Sequence, residues 1–177
     1  MIFNKRTHKL RFNVRTGILA FLLCLISFSS LGQQDLSDID ELNIGINNRA
    51  NVSQNGDELS INVNQNGFNN RFNSIQLGNN NQISSTQQGI LNGAAVLQSG
   101  SDIEANIYQS GFNNQVIASQ VGFNLLMDVS QIGISNLAII NQTGNDNTIR
   151  IQQYGFGNAV GVTQWGTTQN VNVTQRN

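Results

Sequence analysis

The chain has 177 residues, no Pro, 17 Gly, one Cys, one His and a formal net charge of −1. Only 11% of its residues are charged, and it is rich in Asn, Gln and Ser, a composition unlike that of an ordinary globular enzyme and open to a disordered or prion-like reading. Strict positional order from residue 43 to residue 177 argues against both.

Residues 1–16 are basic (Lys5, Arg6, Lys9, Arg11, Arg15), and residues 17–31 form an apolar run shorter than the roughly 20 residues of a comfortable membrane span. Ser30 and Gly32 supply small residues for cleavage before Gln33, so residues 1–32 read as a secretory signal peptide. Cys24 lies inside the apolar run without a small residue before it, which disfavours a lipoprotein signal. The expected mature chain has lost Cys24, His8 and both Lys, leaving Arg49, Arg71, Arg150 and Arg176 against ten acids, a net charge of −6. Thiol and disulfide chemistry are excluded, and a nucleic-acid partner is not expected. Residues 33–42, with Asp35, Asp38, Asp40 and Glu41, form an acidic leader that serves either as a solvated tail or as an export address kept unfolded until secretion.

From there the chain is ruled by glutamines eleven residues apart: Gln54, Gln65, Gln76, Gln87, Gln98, Gln109, Gln120, Gln131, Gln142, Gln153, Gln164 and Gln175. Two residues after all but the last stand Gly56, Gly67, Gly78, Gly89, Gly100, Gly111, Gly122, Gly133, Gly144, Gly155 and Gly166, and Asn43 with Gly45 extends the register upstream. The positions four and two before each Gln are apolar, except for Ser74 and Ser85. This period of two is that of a strand with one buried face, and each unit reads Asn-x-apolar-x-apolar-x-Gln-x-Gly. Asn recurs five residues after the Gln position, at Asn48, Asn70, Asn92, Asn114, Asn136 and Asn158 in one set of units and at Asn81 and Asn147 in the other.

Alternate units differ in kind. Three residues past the Gln position one set carries Ile46, Phe68, Ile90, Phe112, Ile134 and Phe156, while the other carries Asp57, Asn79, Ser101, Phe123, Asn145 and Thr167. A 22-residue coil with two strands on opposite walls explains both periods, and the expected fold is an all-β solenoid of about six coils over residues 43–177, roughly 29 Å tall. An eleven-residue period also suits a right-handed coiled coil, but the Gly in nearly every unit and the many Asn and β-branched residues disfavour a helix.

Within such a solenoid identical amides stack at strand spacing, so the Gln and Asn columns are expected to bond along the stack and to be buried without loss. The Gly is expected where a turn needs positive φ. The Ile and Phe stripe covers its own turns or else makes lateral contacts. Catalysis is not expected, since neither Asp57 with Glu58 nor Asp102 with Glu104 differs from the carboxylates of a soluble turn. No metal, cofactor or small-molecule substrate is expected either, because Asp does not recur as it does in calcium-binding solenoids. The last strand, residues 170–175, is followed only by Arg176 and Asn177, so an open strand edge is expected there, with Trp165 and Arg176 in the docking coil. A soluble monomeric solenoid that binds polysaccharide or ice is the rival reading.

The spacing Gln-x4-Asn-x5-Gln, clearest from Gln153-Tyr154-Gly155-Phe156-Gly157-Asn158 to Gln164, resembles the repeats of curlins, the subunits of the extracellular amyloid fibres called curli. The resemblance implies a non-enzymatic fibre subunit that polymerises with itself and other curlins. It also implies export through an outer-membrane curli channel with accessory factors, to the cell surface, for adhesion and biofilm matrix. The ending Gln164-Trp165-Gly166-Thr167-Thr168-Gln169, closing on Val173-Thr174-Gln175-Arg176, is similar to that of the minor, nucleating curlin, the major subunit being the alternative.

Overall fold

A computed structural model of the chain describes residues 47–177; the expected signal peptide (1–32) and acidic leader (33–42), Asn43, Gly45 and Ile46 lie outside the described residues. Ten strands follow one another: β1 (Arg49–Asp57), β2 (Ser60–Phe68), β3 (Arg71–Asn79), β4 (Gln82–Ile90), β5 (Gly93–Phe112), β6 (Gln115–Ile134), β7 (Leu137–Asn145), β8 (Thr148–Phe156), β9 (Ala159–Thr167) and β10 (Asn170–Arg176). All pairings are parallel and join residues 22 apart, as in Gln54 with Gln76 and Gln65 with Gln87. The result is a β-solenoid of six coils, beginning at residues 49, 71, 93, 115, 137 and 159.

One wall, here wall 1, is built from β1, β3, residues 93–101, residues 115–123, β7 and β9. Wall 2 is built from β2, β4, residues 104–112, residues 126–134, β8 and β10. The alternation of apolar and polar residues becomes an alternation of burial: in β3, Phe72, Ser74 and Gln76 are buried while Arg71 and Leu77 are exposed. One core cluster runs through the stack, with Phe72, Ile83, Val96, Ile107, Met127, Val129, Ile140 and Ile151 among its members. Non-directional burial of this kind drives collapse, but the period decides which side of each strand collapses.

Coils 3 and 4 turn the first corner differently from the rest. Where coils 2 and 5 carry Asn, these carry Ile103 and Leu125, which are 1% exposed and pair with one another, so β5 and β6 run unbroken around the corner. In coils 2 and 5 the same position is held by Asn81 and Asn147, whose Oδ1 accepts the N–H of Ile103 and of Gln169 at 3.1 and 2.9 Å. A branched aliphatic can replace the amide because the corner is buried either way.

The glycines are fixed more by close approach than by freedom to turn. At Gly111 (φ 119°) a Cβ would stand 2.1 Å from the carbonyl oxygen of Gly133 in the next coil, a contact with backbone that nothing can relieve without separating the coils. Two residues later comes the true left-handed residue: Glu58, Asn69, Asn80, Leu91, Asp102, Asn113, Asn124, Ser135, Asp146, Gly157 and Thr168 all lie at φ between 51° and 66°. Asn, Asp and Gly predominate there because they reach this region at least cost, whereas Leu91 and Thr168 are strained, by on the order of 1–3 kcal/mol each.

The two serines that break the apolar pattern sit in the same coil as Phe72, and the Oγ of Ser74 and that of Ser85 are buried without a hydrogen-bond partner. The small side chains accommodate the phenyl ring at the cost of two unsatisfied hydroxyls. Changing both to Ala is expected to stabilise the solenoid by about 1 kcal/mol per site, seen as a higher urea midpoint at unchanged slope. A lower midpoint would mean that the hydroxyls, and not only their size, are needed.

Candidate functional site

The chemistry of this chain lies in two columns of amides. On wall 1 the Nε2 of Gln54 donates to the Oε1 of Gln76 at 2.8 Å, Gln76 to Gln98 at 2.8 Å, Gln98 to Gln120 at 3.1 Å, Gln120 to Gln142 at 3.0 Å and Gln142 to Gln164 at 3.0 Å. On wall 2 the same chain of donation runs from Gln65 through Gln87, Gln109, Gln131 and Gln153 to Gln175, at 2.7 to 2.9 Å. The second N–H of these amides reaches across the core: Gln120 donates to the Glu104 carbonyl at 3.2 Å, and Gln131 to that of Gln115 at 2.9 Å. Each internal Gln therefore bonds the coil above it and ties one wall to the other, a wall 1 Gln reaching the coil below and a wall 2 Gln its own coil, which is how an amide can be 0% exposed at Gln76, Gln98 and Gln120 without loss.

A third column lines the corner after wall 2. The Oδ1 of Asn48 accepts both the backbone N–H and the Nδ2 of Asn70, at 3.0 and 3.2 Å, and the pattern repeats at Asn92, Asn114, Asn136 and Asn158. The Nδ2 of Asn92 also donates to the carbonyls of Gln88 and Gly111, at 3.0 and 3.1 Å, so the Asn holds the glycine turn of the next coil in place. The structure thus brings together the described Gln, Asn and Gly positions that the repeat singles out.

All three columns are polar in the directional sense. Gln donates toward the C-terminal coil, so coil 6 presents the Nε2 groups of Gln164 and Gln175, while coil 1 presents the Oε1 groups of Gln54 and Gln65. Among the described residues β1 and β2 each pair with one strand, and so do β9 and β10. At the coil 1 end the inward-pointing Val52 is 46% exposed, whereas its counterpart Val96 is fully buried. Among the described residues the two end coils therefore carry open strand edges and incompletely covered core.

Sequence reasoning missed several things here. The side chain of Asn177 bonds the backbone of Phe156, accepting its N–H at 2.8 Å and donating to its carbonyl at 2.7 Å, so the final residue fastens the last corner. Arg176 lies over the ring of Tyr154 at 5.1 Å from its centroid, a stacking arrangement of cation on aromatic face. Trp165, the other residue expected at the docking coil, points outward from wall 1 and is 68% exposed. Along the first corner Asn80 donates to Asp102 at 2.5 Å and Asn124 to Asp146 at 2.7 Å, an alternation of amide and carboxylate that keeps like charges two coils apart. A column of nothing but Asp would place them at the strand spacing of about 4.8 Å.

The Ile and Phe stripe also stands in one column: Phe68, Ile90, Phe112, Ile134 and Phe156 are paired in register along the second corner, 39% to 67% exposed. Elsewhere the carboxylates are occupied with neighbours. Glu104 and Asp128 accept from Asn106 at 2.7 and 3.1 Å, and Asp128 forms an ion pair with Arg150 at 3.2 Å, the one ion pair among the described residues.

Comparison with known families gives three overlapping matches to the curlin associated repeat, over residues 100–144, 126–155 and 144–176. Residues 100–176 of the array are similar to curlin repeats. The matched span covers coils 4 to 6 and the second half of coil 3, and the same Gln, Asn and Gly columns carry the repeat back through coil 1. The matches support the curlin family, whose members are structural amyloid subunits. No curated protein matches the chain.

Proposed function

We propose that the chain is a structural, non-enzymatic subunit of an extracellular curli-type amyloid fibre, exported across the periplasm and outer membrane by a curli channel. The observation that carries this reading is the match between the two ends of the solenoid. Coil 6 offers amide N–H groups at Gln164 and Gln175, coil 1 offers amide oxygens at Gln54 and Gln65, and both offer strand edges running in the same direction. A second copy set on coil 6 in continuing register carries all the ladders across the junction and covers Val52. An edge that in other proteins is a liability is here the means of growth.

Purified mature chain at micromolar concentration is expected to form fibres that bind thioflavin and give cross-β diffraction, with a meridional spacing of about 4.8 Å. A chain that stays monomeric for days would overturn the reading and favour the soluble solenoid that binds a polysaccharide or ice.

Within the fibre the chain acts as the minor, nucleating subunit. Coil 6 supports this: it carries Trp165, a strained Thr168 where Asn or Asp is usual, Gln169 in the corner Asn position, and the Arg176 to Tyr154 stack. Deleting residues 165–177 should leave coils 1 to 5 and secretion intact but lengthen the lag of a major curlin seeded with it, or release the chain from the cell surface. Seeding and attachment equal to those of the full chain would assign it instead to the major subunit.

A further inference from the structure

The outer faces of the two walls are unlike. Wall 2 presents the charges of Glu104, Asp128, Arg150 and Arg176 among polar residues and the scattered Tyr108, Leu126, Ile132 and Tyr154, whereas the outward residues of wall 1 in coils 2 to 5 include Ile75, Leu97, Ile117, Val121 and Ile139 and, apart from Arg71, no charge. These residues stand in contiguous register, Ile75 beside Leu97 and Ile117 beside Ile139. Leu97, although outward, is only 9% exposed, so its neighbours already close around it, while Ile139 is 47% exposed.

We propose that the outer face of wall 1 docks against the same face of a second copy, pairing two filaments about a twofold axis parallel to the stack. The proposal rests on the fibre reading above. Three features of the face select this occupant and this axis. The row of Ser53, Ile75, Leu97 and Thr163 runs along the middle of the wall, so the twofold brings the residue two places before this row onto the residue two places after it.

In coil 6 that operation sets the 68% exposed Trp165 of one copy over Gly161 of the other, where a Cβ would meet nothing within 4 Å. In coil 4 it sets Ile117 against Val121, apolar on apolar. At the margin it sets Arg49, four residues before the row, opposite Asp57, four residues after it, and both are exposed. Shape, apolarity and charge are thus satisfied by one operator, as an isologous interface requires.

The size is sufficient. Six strands at about 4.8 Å and nine residues at about 3.3 Å give a face on the order of 850 Å², close to the roughly 800 Å² per partner of a stable interface. Sheets so packed lie about 10 Å apart with their side chains interdigitated and dry. Because the axis is parallel to the stack, both filaments keep one polarity and grow from the same end.

Mass per length of wild-type fibres, measured by scanning transmission electron microscopy, is expected to be twice that of a single solenoid; a single-solenoid value would overturn the proposal. Gly161→Trp, whose Cβ meets nothing within 4 Å in its own chain, should halve the mass per length while leaving thioflavin elongation intact. Adding Trp165→Gly to the same chain exchanges ring and gap and should restore the doubled value; failure to restore it would overturn the twofold.

Ile117→Asp should also halve the mass per length. Gln152→Asp on wall 2 should not, and neither should the triple change of Phe68, Phe112 and Phe156 to Ser. Loss of pairing from the last of these would move the contact to the corner stripe and sink the proposal. Thioflavin response and diffraction report the fibre reading separately. Should the chain not polymerise at all, the same face predicts a dimer by analytical ultracentrifugation, and a monomer there would refute it.

Discussion

Gln120→Leu is expected to destabilise the soluble solenoid by up to about 4 kcal/mol, whereas Gln54→Leu, which leaves one acceptor unpaired instead of two buried groups, should cost about 1 kcal/mol. The two residues hold the same place in the repeat and differ only in where they stand in the column. Gln120 accepts from Gln98, donates to Gln142 and donates across the core to Glu104. Its removal orphans a buried N–H of Gln98 and a buried Oε1 of Gln142, each worth about 1–3 kcal/mol, against which the buried leucine returns about 1.5–3 kcal/mol. Gln54 makes one bond, to Gln76, at an end open to water.

Urea unfolding of freshly prepared chain followed by circular dichroism measures the contrast. Equal losses at both positions would mean that the amides act through helpful packing alone and not through the column. In the fibre the contrast should vanish, because there Gln54 becomes an internal rung. Gln54→Leu should therefore slow elongation while hardly altering the free chain.

The parts of this fold that were legible in the sequence are those written in side chains that repeat. Gln every eleven residues fixed the coil length, the apolar pairs at Phe72, Ile83 and Val96 fixed which face turns inward, and the alternation of Phe68 and Ile90 against Asn79 and Ser101 fixed the two walls. What escaped was written in backbone or in single residues. The left-handed position shows as a bias toward Asn, Asp and Gly, but Leu91, Ser135 and Thr168 blur it. The glycines were read as turn residues, and only the stacked geometry shows that the carbonyl of the next coil excludes any Cβ.

The outer face of wall 1 was not legible for a different reason. Its apolar residues do not recur at a fixed place in the repeat: Ile75 and Leu97 stand in the middle row, Ile117 and Ile139 in the row before it and Val121 in the row after. A scan for period sees scattered hydrophobic residues, whereas the sheet gathers them into one patch. Selection on a surface leaves a mark in two dimensions that a single period cannot carry.

The largest effect on assembly is expected from Gln164→Glu combined with Gln175→Glu. In the free chain each new carboxylate can still accept the bond now made by Gln142 or Gln153, so coil 6 keeps its column contacts with coil 5. It loses the weaker donations to Thr148 and Ala159, at 3.4 and 3.1 Å, which lowers its stability modestly. At the growing face the change is of another order. An ionised carboxylate has no donor, so it would meet the Oε1 of Gln54 or Gln65 of the arriving copy acceptor to acceptor. Two lost donors, each leaving buried acceptors unpaired at about 1–3 kcal/mol, should slow seeded elongation at neutral pH by at least about 30-fold.

The defect should reverse with acid. A protonated Glu regains a donor, and because the filament disfavours the ionised form, the pKa of the new group is raised there above its free value of about 4.3. The stabilisation gained on protonation is then fully present below the free-chain pKa and lost as pH rises through the higher filament value. Thioflavin elongation from wild-type seeds, measured across this range with wild-type chain as control, should show the variant approaching wild type only on the acid side. If the variant elongates normally at neutral pH, coil 6 does not grow by handing its amide N–H groups to the next copy, and the head-to-tail junction is wrong.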